Sequence, residues 1–201
     1  MSKKPIEFYF EFNSPYGYVA AHMIDHLAER YERTVDWHAM LLGPIFKETG
    51  ARPMREVPIK GAYIQKDAAR TCRYYGVDYN EPEVHPFSPV AACRAFYWMK
   101  DKDPAKAKEL AMALYIAAMR DNQDISTAAG VAKVGASIGL DQKDIIDAVD
   151  DNKVKLRLMD EVDAAKRKGV FGSPFFIVDG EPFWGVDRLE IITEWLETDG
   201  F

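Results

Sequence analysis

Strand signals stand only at the two ends of this 201-residue chain, and the stretch between them reads as helical. Residues 6–12, Ile-Glu-Phe-Tyr-Phe-Glu-Phe, alternate and are rich in aromatics, which marks a strand. After Asn13-Ser14-Pro15 the spacing changes. Val19, Met23, Leu27 and Tyr31 recur every four residues, which predicts a helix over 16–33. Val35 to Leu42 is a second apolar run, closed by Gly43-Pro44. A strand, a helix and a strand joined this tightly imply a βαβ unit with parallel strands. At the other end, Phe175-Phe176-Ile177-Val178 reads as a buried strand and Asp179-Gly180 as a hairpin turn, with Pro182-Phe183-Trp184 returning. Asp187 is then expected to cap a last helix carrying Leu189, Ile192, Trp195 and Leu196 on one face.

Between the ends, residues 45–62 read as irregular, with Pro44, Pro53 and Pro58 as breakers. Helical periods then run to Gly169. A helix over 62–75 stops at Gly76. Ser88-Pro89 and Asp103-Pro104 each pair a capping residue with proline at the first helical position, predicting helices over 89–100 and 104–121. Further helices fit 126–138, 141–150 (capped by Asp141) and 152–168. The two ends, 1–43 and 170–201, together make an α/β sheet of the thioredoxin-like kind. Residues 44–169 form an all-helical domain inserted into it.

Composition narrows the function. With 48% hydrophobic and 29% charged residues the chain is not disordered. A net charge of −6 gives no electrostatic footprint for nucleic acid. No apolar run approaches the roughly 20 residues that span a bilayer, so no membrane partner is expected. The basic start, Met1-Ser2-Lys3-Lys4-Pro5, runs into Glu7, Glu11 and aromatics and does not read as a signal peptide. Cys72 and Cys93 lack a Cys-x-x-Cys partner and read as buried free thiols, so a cytoplasmic location is expected. His22 and His26 lie one helical turn apart but lack a third ligand, so no metal is expected. His38 and His85 have no assignable acid or nucleophile partner. There is no G-x-S-x-G, G-x-G-x-x-G or P-loop. Phe96, Tyr97 and Trp98 read as helix packing.

The strongest site signal is Ser14-Pro15-Tyr16-Gly17, between the first strand and the first helix. A redox protein of this fold carries Cys-x-x-Cys there; Ser14 and Gly17 form no disulfide, which excludes dithiol exchange. Gly172-Ser173-Pro174-Phe175 stands directly before the third strand, where such folds place a cis-proline facing the helix N-terminus. The backbone of Ser173 is then free to pair with an extended, peptide-like ligand. A hydroxyl and a helix N-terminus facing that edge suit an anion, most naturally a thiolate. The pocket is expected between the helix terminus at Ser14, Pro174 and the helical insert.

The chain resembles the 2-hydroxychromene-2-carboxylate isomerase family, which is related to kappa-class glutathione transferases and DsbA-like proteins. The resemblance rests on Phe12-Asn13-Ser14-Pro15-Tyr16, Leu41-Leu42-Gly43-Pro44-Ile45-Phe46-Lys47, Pro58-Ile59-Lys60-Gly61-Ala62-Tyr63 and Asp124-Ile125-Ser126. Gly169-Val170-Phe171-Gly172-Ser173-Pro174-Phe175-Phe176 and Phe183-Trp184-Gly185-Val186-Asp187-Arg188-Leu189 complete it. It implies glutathione as cofactor, a small aromatic substrate and a homodimer. Ser14 would donate a hydrogen bond to the glutathione sulfur as the catalytic residue. Ser173, before Pro174, would pair with the cysteinyl part, Lys60 would sit near the glycyl carboxylate, and Asp187 would hold the γ-glutamyl amine. Val186 would contribute backbone only, with Arg188 beside it. Two positions depart from the family: Ala51 stands where an Asn usually contacts glutathione, and Ser88 replaces an Asn common before the next helix.

The implied reaction is cis–trans isomerisation to trans-o-hydroxybenzylidenepyruvate. Glutathione adds to the conjugated system, the hemiketal opens, a carbon–carbon bond rotates and the thiol leaves. Lowering a thiol pKa from about 8.5 to about 7 needs roughly 2 kcal/mol of preferential thiolate stabilisation. A hydrogen bond to a charged acceptor supplies about 1.5–3 kcal/mol and a helix N-terminus about 0.3–1 kcal/mol, so no metal or histidine base is required. The same features also fit a kappa-like glutathione transferase or peroxidase, or a non-catalytic thioredoxin-like binding protein.

Overall fold

A computed structural model describes residues 3–201; Met1 and Ser2, which open the expected 1–43 segment and its basic run, lie outside them. Strand β1 (Ile6–Phe10) pairs in parallel with β2 (Val35–Ala39), in register from Ile6↔Val35 to Phe10↔Ala39. On its other side β1 runs antiparallel to β3 (Phe175–Val178), which pairs antiparallel with β4 (Glu181–Trp184). The order is β2-β1-β3-β4, the thioredoxin-like arrangement expected from the two chain ends.

Alternation along β1 explains why this sheet forms. Ile6, Phe8 and Phe10, with Phe12 just beyond, are wholly buried on one face. Phe8 stacks on Phe176 of β3 at 5.4 Å and meets Trp37 of β2 edge-on at 5.0 Å. Tyr9 turns to the opposite face, where it joins a smaller cluster with Met40, Ile45, Ala165, Val170 and Phe175. Both faces are therefore covered.

Nine α-helices are found among the described residues: α1 (Pro15–Arg30), α2 (Leu42–Thr49), α3 (Lys60–Tyr74), α4 (Val90–Lys100), α5 (Pro104–Met119), α6 (Ala128–Ser137), α7 (Gln142–Asp150), α8 (Asn152–Arg167) and α9 (Leu189–Thr198). Ser14, Asp103, Thr127, Asp141 and Asp151 cap five of them through side-chain acceptors. The inserted helices share one core with the sheet. Phe96 of α4 meets Phe10 edge-on at 5.3 Å, and Tyr115 of α5 packs against Phe12 at 5.1 Å. Tyr97 donates to the Ala39 carbonyl at 2.7 Å and Lys100 to that of Trp37 at 2.7 Å, which ties α4 to β2. Phe96 and Tyr97 are thus core residues, and Trp98 is partly buried.

The structure corrects several local expectations. A helix, α2, occupies 42–49, where the chain was expected to be irregular from 45. Pro44 does not break it, because it falls in the first turn, where the missing N–H has no intrahelical acceptor to lose. Helix α1 ends at Arg30, three residues early, and the chain turns through Glu32 at φ 56°. Ser88 caps nothing: Pro89 is the N-cap residue and α4 starts at Val90. Asp187 lies in a 3-10 turn over Val186–Arg188, so α9 begins after it without a side-chain cap.

His38 does have acid partners. Its Nδ1 is 3.1 Å from Glu161 Oε2, and its Nε2 is 3.0 Å from Asp36 Oδ2. Burial opposes charge on the ring, but Asp36 and Glu161 outweigh it and hold the His38 pKa above its usual value. Glu161 is itself half-desolvated, yet His38 and Arg157 draw its pKa down to about 2.

Candidate functional site

The site forms where the N-terminus of α1 meets the turn before β3. Ser14 is the N-cap of α1, and its Oγ accepts from the Gly17 amide at 2.9 Å, with Pro15 at the first helical position. The same Oγ donates to the Ser173 carbonyl at 2.8 Å. The Ser173–Pro174 peptide bond is cis, as its position before β3 predicted. The Ser173 amide has no acceptor among the described residues, so it is available to a ligand.

Gly17 is required by this packing. A Cβ there would lie 2.7 Å from both Ser173 Oγ and Tyr115 Oη. Neither neighbour is free to yield, because Ser173 Oγ accepts from the Glu11 amide at 2.9 Å and Tyr115 donates to the Glu11 carbonyl at 2.9 Å.

Two cavities share Ser173 in their walls, together with Tyr16, Met54 and Trp184. One, of about 590 Å³, is rimmed by charged groups that include Asp187, Arg188, Asp67 and Arg70. The Tyr16 hydroxyl donates to Asp67 Oδ2 at 2.7 Å on its wall. The other, of about 540 Å³, contains Ser14 and is largely apolar, walled by Leu41, Phe46, Phe87, Phe171 and Trp184 among others. Phe171 and Trp184 meet edge-on at 4.8 Å, and both remain partly open to solvent. Arg52 and Arg55 stand at this second cavity. Arg55 is paired with Glu81, whereas exposed Arg52 has no ion pair among the described residues.

The structure thus brings Ser173, Pro174, Val186 and Asp187 around the first cavity, while Ser14 lines the second and reaches the first only through its bond to the Ser173 carbonyl. Val186 is buried, and Asp187 is exposed and 3.3 Å from Arg188. Lys60 stands apart: it opens α3, is exposed, and lines neither cavity. Ala51 lines the apolar cavity, and Ser88 lines neither. His22 packs edge-on to Tyr18 at 4.8 Å and His26 is exposed. Among the described residues no cluster of three or more His, Cys, Asp or Glu could hold a metal ion.

Two residues at this site carried no sequence signal. Glu11 is buried, and burial pushes its carboxyl pKa up to about 7 against the two hydrogen bonds it receives from Asn13. His85 lines the apolar cavity and donates from Nε2 to the Asn13 carbonyl at 2.8 Å. Burial, opposed by that bond, lowers its pKa and keeps the ring neutral.

A family model of DsbA-like thioredoxin domains matches residues 5–197. The chain belongs to this family. Among named relatives, 2-hydroxychromene-2-carboxylate isomerase of Sphingobium xenophagum is 27% identical over 205 residues, covering 96% of this chain and 98% of that protein. Glutathione S-transferase kappa 1 of Caenorhabditis elegans is 22% identical, covering 98% of this chain and 93% of that one. A solved 2-hydroxychromene-2-carboxylate isomerase superposes with a TM-score of 0.86 at 24% identity, over 96% of this chain and 94% of that one. Within the DsbA-like family, then, the chain is similar to enzymes with two named activities. No helix among its described residues is long and apolar enough to cross a membrane.

Proposed function

We propose that this chain is a glutathione-dependent cis–trans isomerase acting on 2-hydroxychromene-2-carboxylate or a related aromatic hemiketal carboxylate. The observation that carries this reading is the Ser14 hydroxyl on the aromatic-walled cavity, bonded to the carbonyl of Ser173, a residue that this cavity shares with the charge-rimmed one. Glutathione fits the residues present. The free Ser173 amide offers its cysteinyl backbone a strand-like partner, and exposed Asp187 offers its ammonium a counter-charge. Val186 would add backbone contacts, and Lys60, which lines neither cavity, would have to swing inward to reach the glycyl carboxylate.

Bound glutathione would supply a thiolate able to add reversibly to the conjugated substrate. The chain's own part is to hold charge and position. The Ser14 hydroxyl, turned from the Ser173 carbonyl to the sulfur, would stabilise the thiolate together with the N-terminus of α1. Leu41, Phe46, Phe171 and Trp184 would bury the aromatic ring and keep water from it. Arg52, a guanidinium at this cavity with no ion pair among the described residues, would receive the substrate carboxylate. Two buried free cysteines, Cys72 and Cys93, agree with the proposed cytoplasmic setting, and a homodimer is proposed from the family resemblance.

Titration of thiolate absorbance in the glutathione complex tests the cofactor, and chromene turnover tests the reaction. A thiol pKa well below that of free glutathione, with turnover that leaves glutathione unconsumed, is expected. Glutathione lost in step with product would mark a transferase. No glutathione binding would leave a thioredoxin-like binding protein.

A further inference from the structure

Among the described residues Glu11 is the one buried charged side chain, and thiolate chemistry at Ser14 gives it no task. It lies just past β1, beside the apolar cavity. Its Oε2 accepts from the Asn13 amide at 2.9 Å and its Oε1 from Asn13 Nδ2 at 3.0 Å. A carboxylate only accepts, so it fixes which way the Asn13 amide faces. With Nδ2 turned to Glu11, Oδ1 is left to accept from the Phe87 amide at 2.9 Å, while Nδ2 also donates to the Phe87 carbonyl at 2.9 Å. The Asn13 carbonyl takes the His85 Nε2–H at 2.8 Å. His85, Pro86 and Phe87 form one wall of the apolar cavity, on the connection between α3 and α4.

We propose that Glu11 is the positioning residue for this wall: its carboxylate orients Asn13, Asn13 holds residues 85–87 against the cavity, and the proton on Glu11 sets how firmly they are held. Ionised, Glu11 accepts both Asn13 bonds. Protonated, it turns one oxygen into a donor that faces an N–H, and one bond is lost.

The switch falls near neutral pH because burial raises the carboxyl to about 7. The groups that feel its charge are Cys93 of α4 and Tyr115 of α5, and burial keeps both neutral. His85, on the far side of Asn13, is neutral in the same range, since burial lowers its pKa. None of this depends on which ligand the two cavities take.

Amide hydrogen exchange at Phe87, read by NMR on the full-length ligand-free protein and corrected for the intrinsic pH dependence of exchange, tests the proposal. In the wild type, protection of Phe87 is expected to rise roughly tenfold as pH increases through about 7, the worth of one buried hydrogen bond. Glu11→Gln should show low protection at every pH, confined to residues 85–88. Asn13→Ala should do the same with Glu11 still present, which keeps the test open if Glu11→Gln folds poorly. Protection of Phe87 that is flat with pH in the wild type would overturn the proposal. So would an equal loss in the β1 and β2 amides of either variant, because that pattern belongs to a general structural role.

Discussion

The Ser14 hydroxyl donates to the carbonyl of Ser173 at 2.8 Å, joining residues 159 positions apart across the mouth of the site. The donor that a bound sulfur would need is already aimed at the cis-proline turn. A ligand pairing with Ser173 therefore exchanges one acceptor for another at Ser14 and must itself supply a donor to the Ser173 carbonyl that Ser14 leaves.

Ser14→Ala follows directly. Losing a hydrogen bond to a charged acceptor costs about 2 kcal/mol, so the bound thiol should titrate more than a unit higher and turnover should fall roughly thirtyfold. The variant also loses its N-cap, worth about 1 kcal/mol, which lowers the melting temperature by roughly 2–4 °C. Turnover equal to wild type would remove Ser14 from the chemistry.

Gly17→Ala tests the packing under the site. Helix propensity alone would favour alanine by about 1 kcal/mol. Here the new methyl would press on Ser173 Oγ and Tyr115 Oη at 2.7 Å, and Glu11 fixes both. Overpacking costs about 1–3 kcal/mol, so the steric effect should win. Calorimetry should record a lower melting temperature, with weaker glutathione binding by titration; a stabilised variant would contradict this geometry.

Legibility of the sequence followed the range of the forces involved. The strand runs at both ends, the Asp103 and Asp141 caps and the cis-proline turn were readable because short patterns or position in the chain specify them. The α2 helix was not, since Pro44 reads as a breaker until its place in the first turn is known. Ser88 and Asp187 had the composition of caps, but packing moved both helix starts beyond them. Glu11 escaped notice for a different reason. It follows an alternating strand whose core face is Ile6, Phe8 and Phe10, and period-two logic sends it to the other side. Only the turn before β3 and helices α4 and α5, far away in sequence, enclose it.

Glu11 should also leave a mark on stability. Its folded pKa of about 7 lies above the usual 4.5, so the folded state binds the proton more tightly than the unfolded state. The resulting stability is fully present below about pH 4.5 and is lost as pH rises through about 7, a change of about 3 kcal/mol. Denaturant unfolding of wild type and Glu11→Gln across that range should show the wild type losing ground steadily. A constant difference would mean that Glu11 does not titrate there.

His38 produces a separate pH effect at the sheet edge. Its raised pKa gives stability below about 6.5 that disappears as pH climbs past the folded value. The lowered pKa of Glu161 works the opposite way, helping above about 4.5 and failing as pH falls towards 2. The ring and its two acids should therefore support the fold best between about pH 4.5 and 6.5. Wild type should exceed His38→Gln by about 1 kcal/mol near pH 5.5, and the gap should narrow as pH rises past the folded value. Both proteins carry Glu11, so its contribution cancels in the difference. A gap that widens with pH would contradict the pairing.

Arg52 offers a test of substrate class that leaves the thiolate untouched. It stands at the apolar cavity with no ion pair among the described residues, while Arg55 beside it is held by Glu81. A partly exposed guanidinium–carboxylate contact is worth about 1 kcal/mol, so Arg52→Ala should raise KM for the carboxylate substrate about fivefold with kcat nearly unchanged. The methyl ester of the same substrate should bind both proteins alike, because it has no charge for Arg52 to meet. Glutathione affinity should also stay the same. Equal losses for acid and ester would show that Arg52 shapes the cavity and does not read the charge, and weaker glutathione binding would move Arg52 to the cofactor side of the site.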